Sequence, residues 1–527
     1  MQKNTVAFIA FLEQDNLGVG YMASLLLGSE IDIKIVDFRA GKETILEQLL
    51  QTKPLIAGFS VIFQYHIYDF RDLIVYLREN GVKCHFTAGG HYPSLRYTEF
   101  LDTIPEFDSV VLFEGEYTLL ELARSIHDGR EWKNIEGIAY RENGSVLANP
   151  LRPLEENLDL FPPPVRQPLK EYALGKKYAT LLAGRGCYYN CTFCSIREFY
   201  SKPPGPVKRI RRPEMVVREM ELLHQQLDCS IFMFQDDDFP VLGAKGKEWT
   251  TTFCDLLVEK GLDKRFMWKI NCRPDEVEPE LFQLMKDTGL FLVYLGIENG
   301  TEAGLKLMDK KITPETNVEA VRTLNKLGIK YDYGFMLFDP ESTFATVVEN
   351  LDFLQEICGD GSSPVTFCKM LPYAETQIET KLKKEGRLKG DLGFSDYDFY
   401  EPAMNRFYSF LTHCFQEWIA DHAGLLNLAR WARYHSAVYK KYYPETAAFR
   451  ELDQAATELI AQSNTFFVDS TKELVNIFDH GANIDGGQEM LNVIGNDIRE
   501  SHQQYQREMS AMLINFEELT NLRVVIP

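Results

Sequence analysis

Twice along this chain, short apolar runs alternate with stretches of helical periodicity, and that alternation restricts the fold more than any other feature. In the first 145 residues the runs are TVAFIAFL, IDIKIVDF, PLIAGFSVIF, KCHFTAGG and SVVLFEG, mostly bounded by Gly, Pro or charge. Such runs predict strands of a sheet covered on both faces. Helical stretches such as YDFRDLIVYLREN lie between them. Alternating β and α over this length predicts a Rossmann-like, doubly wound parallel sheet, α/β in class. Such sheets bind ligands beyond the carboxyl ends of their strands, which nominates EQDNLGVGY, SVIFQY, AGGHYPS and FEGEYT.

A linker follows over residues 151–176, rich in proline (NPLRPLEENLDLFPPPVRQPLKEY), which cannot supply the amide donors of regular structure. It bounds a first domain of residues 1–150. A second train then begins with YATLLAG, SIFMFQDD, FMWKINCR, LFLVYLGIE, YDYGFMLFD and PVTFCKMLP as strands. Six βα units over 177–380 predict a partial, open TIM-type barrel, with its chemistry at the carboxyl ends of the strands. From 381 to 527 the strand signal fades into helical pattern, and its aromatics read as packing.

Charge and thiols narrow the function. Lys and Arg number 56 against 77 Asp and Glu, a net charge of −21. Such a surface repels phosphate backbones, so no nucleic-acid partner is expected. The one basic stretch, Lys202–Glu214, reads as a solvated loop. The apolar run at the N-terminus is broken by Glu13 and lacks a cleavage site, and no later segment offers about 18 uninterrupted apolar residues. The expectation is a cytoplasmic protein without a membrane span, its ten cysteines serving as core thiols or metal ligands.

Three of those thiols, Cys187, Cys191 and Cys194, are gathered in GRGCYYNCTFCSIREFY, directly after the first strand of the second train. Thiolates suit zinc or an iron–sulfur cluster. Structural zinc takes four closed ligands, and the next candidate downstream is as far off as His224. A cubane held by three cysteines leaves one iron open for a substrate amine and carboxylate.

The loop CYYNCTFC, with Phe193 before the third cysteine, resembles that of the radical S-adenosylmethionine (SAM) superfamily. The resemblance extends over about 177–380. It implies a [4Fe-4S] cluster, SAM on its open iron, and a 5′-deoxyadenosyl radical that takes hydrogen from an unactivated carbon. It also implies SAM contacts beyond Phe193. Asp236 and Asp237 would receive the methionine ammonium, although the family's frequent Gly-Gly-Glu is absent. Arg273 would pair with the SAM carboxylate or bridge to a nearby Asp, and Glu298 would accept the ribose hydroxyls.

The first domain resembles the cobalamin-binding domain that precedes many radical SAM domains, through DNLGVGYMAS, FSVIFQY, AGGHYPS and EGEYT. Related corrinoid proteins carry Asp-x-His-x-x-Gly; here the residues are Asp15, Asn16, Leu17, Gly18, Val19 and Gly20, so leucine replaces the cobalt-ligating histidine. The resemblance implies that Gly18, Gly20, Gly89, Gly90 and Gly115 let the backbone approach the corrinoid. Ser60 would bond its nucleotide tail, and Glu114 and Glu116 its amides. His91 would approach the corrin or remain a surface histidine.

Together these features describe a cobalamin-dependent radical SAM enzyme, a C-methyltransferase served by a flavodoxin- or ferredoxin-type electron donor. The substrate ranges from a small molecule to a peptide or lipid. A ring-forming or rearranging enzyme with the same cofactors is the first alternative, and a non-catalytic corrinoid or electron-transfer protein the second. A tRNA-methylthiolating enzyme would carry further N-terminal cysteines, whereas only Cys84 precedes the loop.

Overall fold

In a computed structural model, which describes residues 4–12, 15–480 and 487–524, the first train forms the expected parallel sheet. Glu13 lies outside the described residues. The strands are β1 (Thr5–Ala10), β2 (Asp32–Asp37), β3 (Ile56–Ser60), β4 (His85–Gly89) and β5 (Ser109–Val111). Register is fixed by pairs such as Ile9 with Phe59 and Ser60 with Gly89. Strand β2 departs from the expected burial, since an edge strand has less cover and only Val36 in it is fully buried. Two antiparallel strands not read from the sequence, β6 (Ile138–Glu142) and β7 (Ser145–Ala148), extend the order to β2-β1-β3-β4-β5-β6-β7. Their two-residue turn is Asn143-Gly144, both at positive φ (50° and 81°), as a type I′ hairpin requires.

Further strands are β8 (Glu171–Ala173), β9 (Lys176–Leu181), β10 (Gly184–Arg185), β11 (Arg209–Ile210), β12 (Cys229–Phe234), β13 (Met267–Cys272), β14 (Leu290–Glu298), β15 (Lys330–Phe338) and β16 (Cys368–Lys369). A second sheet runs β16-β15-β14-β13-β12-β9-β8, while β10 and β11 form a separate antiparallel pair. From β12 to β16 neighbours pair in parallel, and the sheet is open at both edges, as a partial barrel is. Its outer face is sealed by rings: Trp268 is wholly buried, meets Phe253 edge-on at 5.3 Å and donates its indole N–H to Thr288 O. Each fully buried Phe of this layer contributes about 1.5–3 kcal/mol of transfer free energy.

The chain divides into two compact units, one of residues 1–168, 180–215 and 371–397, the other of 169–179, 216–370 and 398–527. The second includes four long helices, Pro402–Ala420, Leu425–Tyr442, Ala447–Asp479 and Gly487–Thr520. Their aromatics pack as expected, with Phe407, Phe415 and Trp418 buried. Among the described residues no helix is long and apolar enough to cross a membrane.

Candidate functional site

The cysteine loop belongs to the first unit and is framed by β10 and β11. Gly186, at φ +79°, leads into it, and a Cβ there would stand 1.9 Å from Val207 O. Only glycine therefore brings the backbone round to Cys187. Cys187, Cys191 and Cys194 are half-buried, and none is in a disulfide. The Cys194 amide donates to Cys191 O at 3.1 Å, closing the turn that holds the half-buried Phe193. Thr192 O accepts from the Ile378 amide. Among the described residues no three His, Cys, Asp or Glu side chains converge on a single ion. A cluster asks for less convergence, because its thiolates ligate different irons. His224 plays another part: its Nδ1 bonds Cys229 O and its ring meets Phe266.

Buried charge holds this loop in the unit. Arg185 meets Glu114 at 3.1 Å and Glu116 at 2.7 Å, and Arg209 meets Glu114 at 2.8 Å. Burial would raise the Glu114 carboxyl, but Arg185 and Arg209 outweigh it and hold the group below the ordinary carboxylate value. The Arg185 guanidinium also lies 5.0 Å from the rings of both Tyr21 and Phe161. Both carboxylates expected to face corrin amides are thus taken up by arginine. The basic stretch is likewise no solvated loop: Lys208, Arg209 and Arg211 are buried, and Arg211 and Arg212 face Asp159. Nothing in the sequence separates cations bound for interior carboxylates from cations bound for water.

The remaining candidates of the first unit lie at the carboxyl ends of its strands. Asn16 caps the helix Leu17–Leu27 by accepting from the Val19 amide, and its Nδ2 donates to Ser60 Oγ at 3.4 Å, so two of the expected residues meet. Asp15 pairs with Arg166 at 2.7 Å. Leu17 packs in an apolar group with Tyr21 and Phe161. Gly20, Gly90 and Gly115 are forced by protein packing, their Cβ positions meeting Val165 O, Val61 O and Val111 Cγ1 at 2.7, 2.4 and 2.9 Å. Gly18 and Gly89 have no neighbour nearer than 3.6 Å and leave the surface open. Exposed Ile62, Phe63 and Tyr65 follow β3, the last two stacked at 5.4 Å. An open, apolar, aromatic surface beside Ser60 and Gly89 fits a broad flat macrocycle such as a corrinoid. His91 stacks on Phe199 of the helix that follows Cys194, with ring centroids 4.3 Å apart.

The other candidates belong to the second unit. Asp236 is buried after β12 and Asp237 is exposed. Arg273 grips Asp275 at 2.9 Å and donates to Lys310 O, the bridge expected as its alternative to a SAM carboxylate. Glu298 ends β14 at φ +68°, with its oxygens 3.0 Å from the Cβ positions of Gly296 and Gly334. Burial raises its carboxyl, opposed by Lys310 and Arg273. Absent side chains at Gly296 and Gly334, beside a carboxylate, form a cradle that suits a ribose. Sequence reasoning missed Lys269, Tyr294 and Lys310 here; the signal for the first was a lone lysine inside the apolar run FMWKINC.

Residues 181–354 match the Radical SAM superfamily, and residues 9–123 match the B12 binding domain. The chain belongs to the cobalamin-dependent radical SAM enzymes. It is 30% identical over 370 residues to an uncharacterized methyltransferase of Pyrococcus horikoshii, covering 69% of this chain and 77% of that one. It is 28% identical over 400 residues to the anaerobic magnesium-protoporphyrin IX monomethyl ester cyclase of Rubrivivax gelatinosus, 73% of this chain and 69% of that one. In fold it is similar to the cobalamin-dependent S-adenosylmethionine radical enzyme OxsB with aqua-cobalamin bound, at TM-score 0.69 and 19% identity, over 98% of this chain and 81% of that one.

Proposed function

We propose that the chain methylates an unactivated carbon of a small molecule, peptide or lipid, with electrons from a flavodoxin- or ferredoxin-type donor in the cytoplasm. The observation that carries this reading is the 30% identity to a protein described as a methyltransferase, over 77% of that protein. When bound, the cluster supplies the electron that cleaves SAM to a 5′-deoxyadenosyl radical, and the corrinoid supplies the methyl group.

In this reading Cys187, Cys191 and Cys194 hold the cluster. Asp236, Asp237 and Glu298 orient SAM by its ammonium and ribose, and Phe193 shields the loop. Arg273 keeps Asp275 in place. Asn16 and Ser60 present polar atoms to the corrinoid tail, while Gly18 and Gly89 leave room for the ring. Glu114 and Glu116 position the cysteine loop. We further place domain limits at 1–150, 177–380 and 381–527, with the linker at 151–176.

A second reading, cyclisation or rearrangement with the same cofactors, is favoured by the likeness to the magnesium-protoporphyrin cyclase. Anaerobically reconstituted protein, given SAM deuterated in its methyl group and an extract of metabolites, separates the two. A product carrying one deuterated methyl per turnover supports methylation. Formation of 5′-deoxyadenosine with no labelled product supports the second reading.

A further inference from the structure

The inner face of the second sheet carries a cation that the preceding reading leaves unused. Lys269 stands third in β13, out of phase with the wholly buried Trp268 and Ile270 and on the face of Asn271. Its Nζ donates to Asn271 Oδ1, and Asn271 Nδ2 in turn donates to Asp236 O at 2.8 Å. The amine is thereby oriented from behind, with N–H donors left over. The Tyr294 ring lies 5.8 Å from Nζ. Asp332, which attracts this cation, is engaged elsewhere: Arg433 meets it at 2.8 Å, and the Tyr434 hydroxyl donates to it.

The surroundings are a recess. Tyr294 keeps 40% of its surface accessible and Cys368 is exposed, yet burial raises the Tyr294 hydroxyl and pushes the Cys368 thiol up to about 12. Both groups touch solvent and are nevertheless desolvated by the protein around them. Burial also lowers the Lys269 amine to about 8, against the pull of Asp332 on β15, Asp236 after β12 and Cys272 on its own strand. Among the described residues no carboxylate forms an ion pair with this amine; a buried cation so placed is costly, and an incoming anion reduces that cost.

We propose that Lys269 anchors an oxyanion of the substrate, a carboxylate or a phosphate, inside the recess. This names a substrate class for the preceding reading and rests on it.

The test is competitive acetylation of reconstituted holoenzyme, with the Lys269 peptide followed by mass spectrometry across a pH series. Lys269 is expected to titrate near 8. Inorganic phosphate or hexanoate should slow its labelling about tenfold below that pH, since one unit of pKa is a tenfold change in free amine. Protection by phosphate alone assigns a phosphate ester, by hexanoate alone a carboxylic acid, and either supports the proposal. Protection by SAM alone gives Lys269 to the cosubstrate and overturns it, as does protection by none of the three. The protecting anion should raise the thermal midpoint of wild type and Lys269→Arg but not of Lys269→Met. If the methionine variant does not fold, the labelling of wild type decides. Reductive SAM cleavage on the same samples tests the preceding reading separately, because it needs no substrate anion.

Discussion

Glu114 and Arg209 face each other at 2.8 Å, joining the loop after β5 to the strand that closes the cysteine loop. Arg185 completes the arrangement from β10. Removing one member of a buried ion group leaves the others uncompensated, typically at a cost of about 3–5 kcal/mol. Glu114→Gln is therefore expected to lower unfolding stability by that amount in urea titrations. It should also reduce iron retained after reconstitution more than cobalamin bound. Loss of cobalamin with iron unchanged would return Glu114 to the corrin.

The same carboxyl sets an acid limit. Its native pKa is depressed by Arg185 and Arg209 against burial. Its stabilising contribution is therefore complete above the unfolded value of about 4.3 and is lost as pH falls through the lower native value. Wild-type stability should drop over that window, and Glu114→Gln should show a flatter profile. Calorimetry across an acid pH series reads both.

Gly186→Ala places a methyl group 1.9 Å from Val207 O at φ +79°. The loop must shift, at a cost of about 1–3 kcal/mol for the strained backbone alone. The variant is expected to fold with native circular dichroism and to retain little iron, and iron analysis is the check.

Replacing Cys187, Cys191 or Cys194 singly by Ala should abolish cluster assembly. Replacing the buried Cys254 should leave the iron content unchanged. A variant of the trio that still gave an iron signal responsive to SAM would refute the ligand assignment.

Leu17 occupies the place of a cobalt-ligating histidine and packs with Tyr21 and Phe161. Paramagnetic resonance of the cob(II)alamin-loaded protein should show no splitting altered by 15N-histidine labelling. An altered splitting would point to His91, and His91→Ala should then remove it.

The strands were legible because a strand buried on both faces has few ways to be written. The hairpin β6–β7 was not read, because its flanking runs are too mixed in polarity to announce strands, although Asn143-Gly144 marks its turn. The cysteine loop stood out because its C-x3-C-x2-C spacing is local and needs no distant partner to be noticed. Partnerships between distant charges could not: Glu114 and Arg209 are 95 positions apart, and local pattern says nothing about which cation a carboxylate will meet. Lys269 falls between, visible as an anomaly in its strand but silent about its surroundings until Asn271 and Tyr294 are in place.

The chain changes unit five times, after residues 168, 179, 215, 370 and 397. During synthesis the first unit therefore cannot close until residue 397 has left the ribosome, and the second waits for the segment that begins at residue 398. The nascent chain must carry its β5 loop unfinished until Arg185 and Arg209 have emerged. Gene fragments cut at the apparent linker would produce a half that lacks its own later segments.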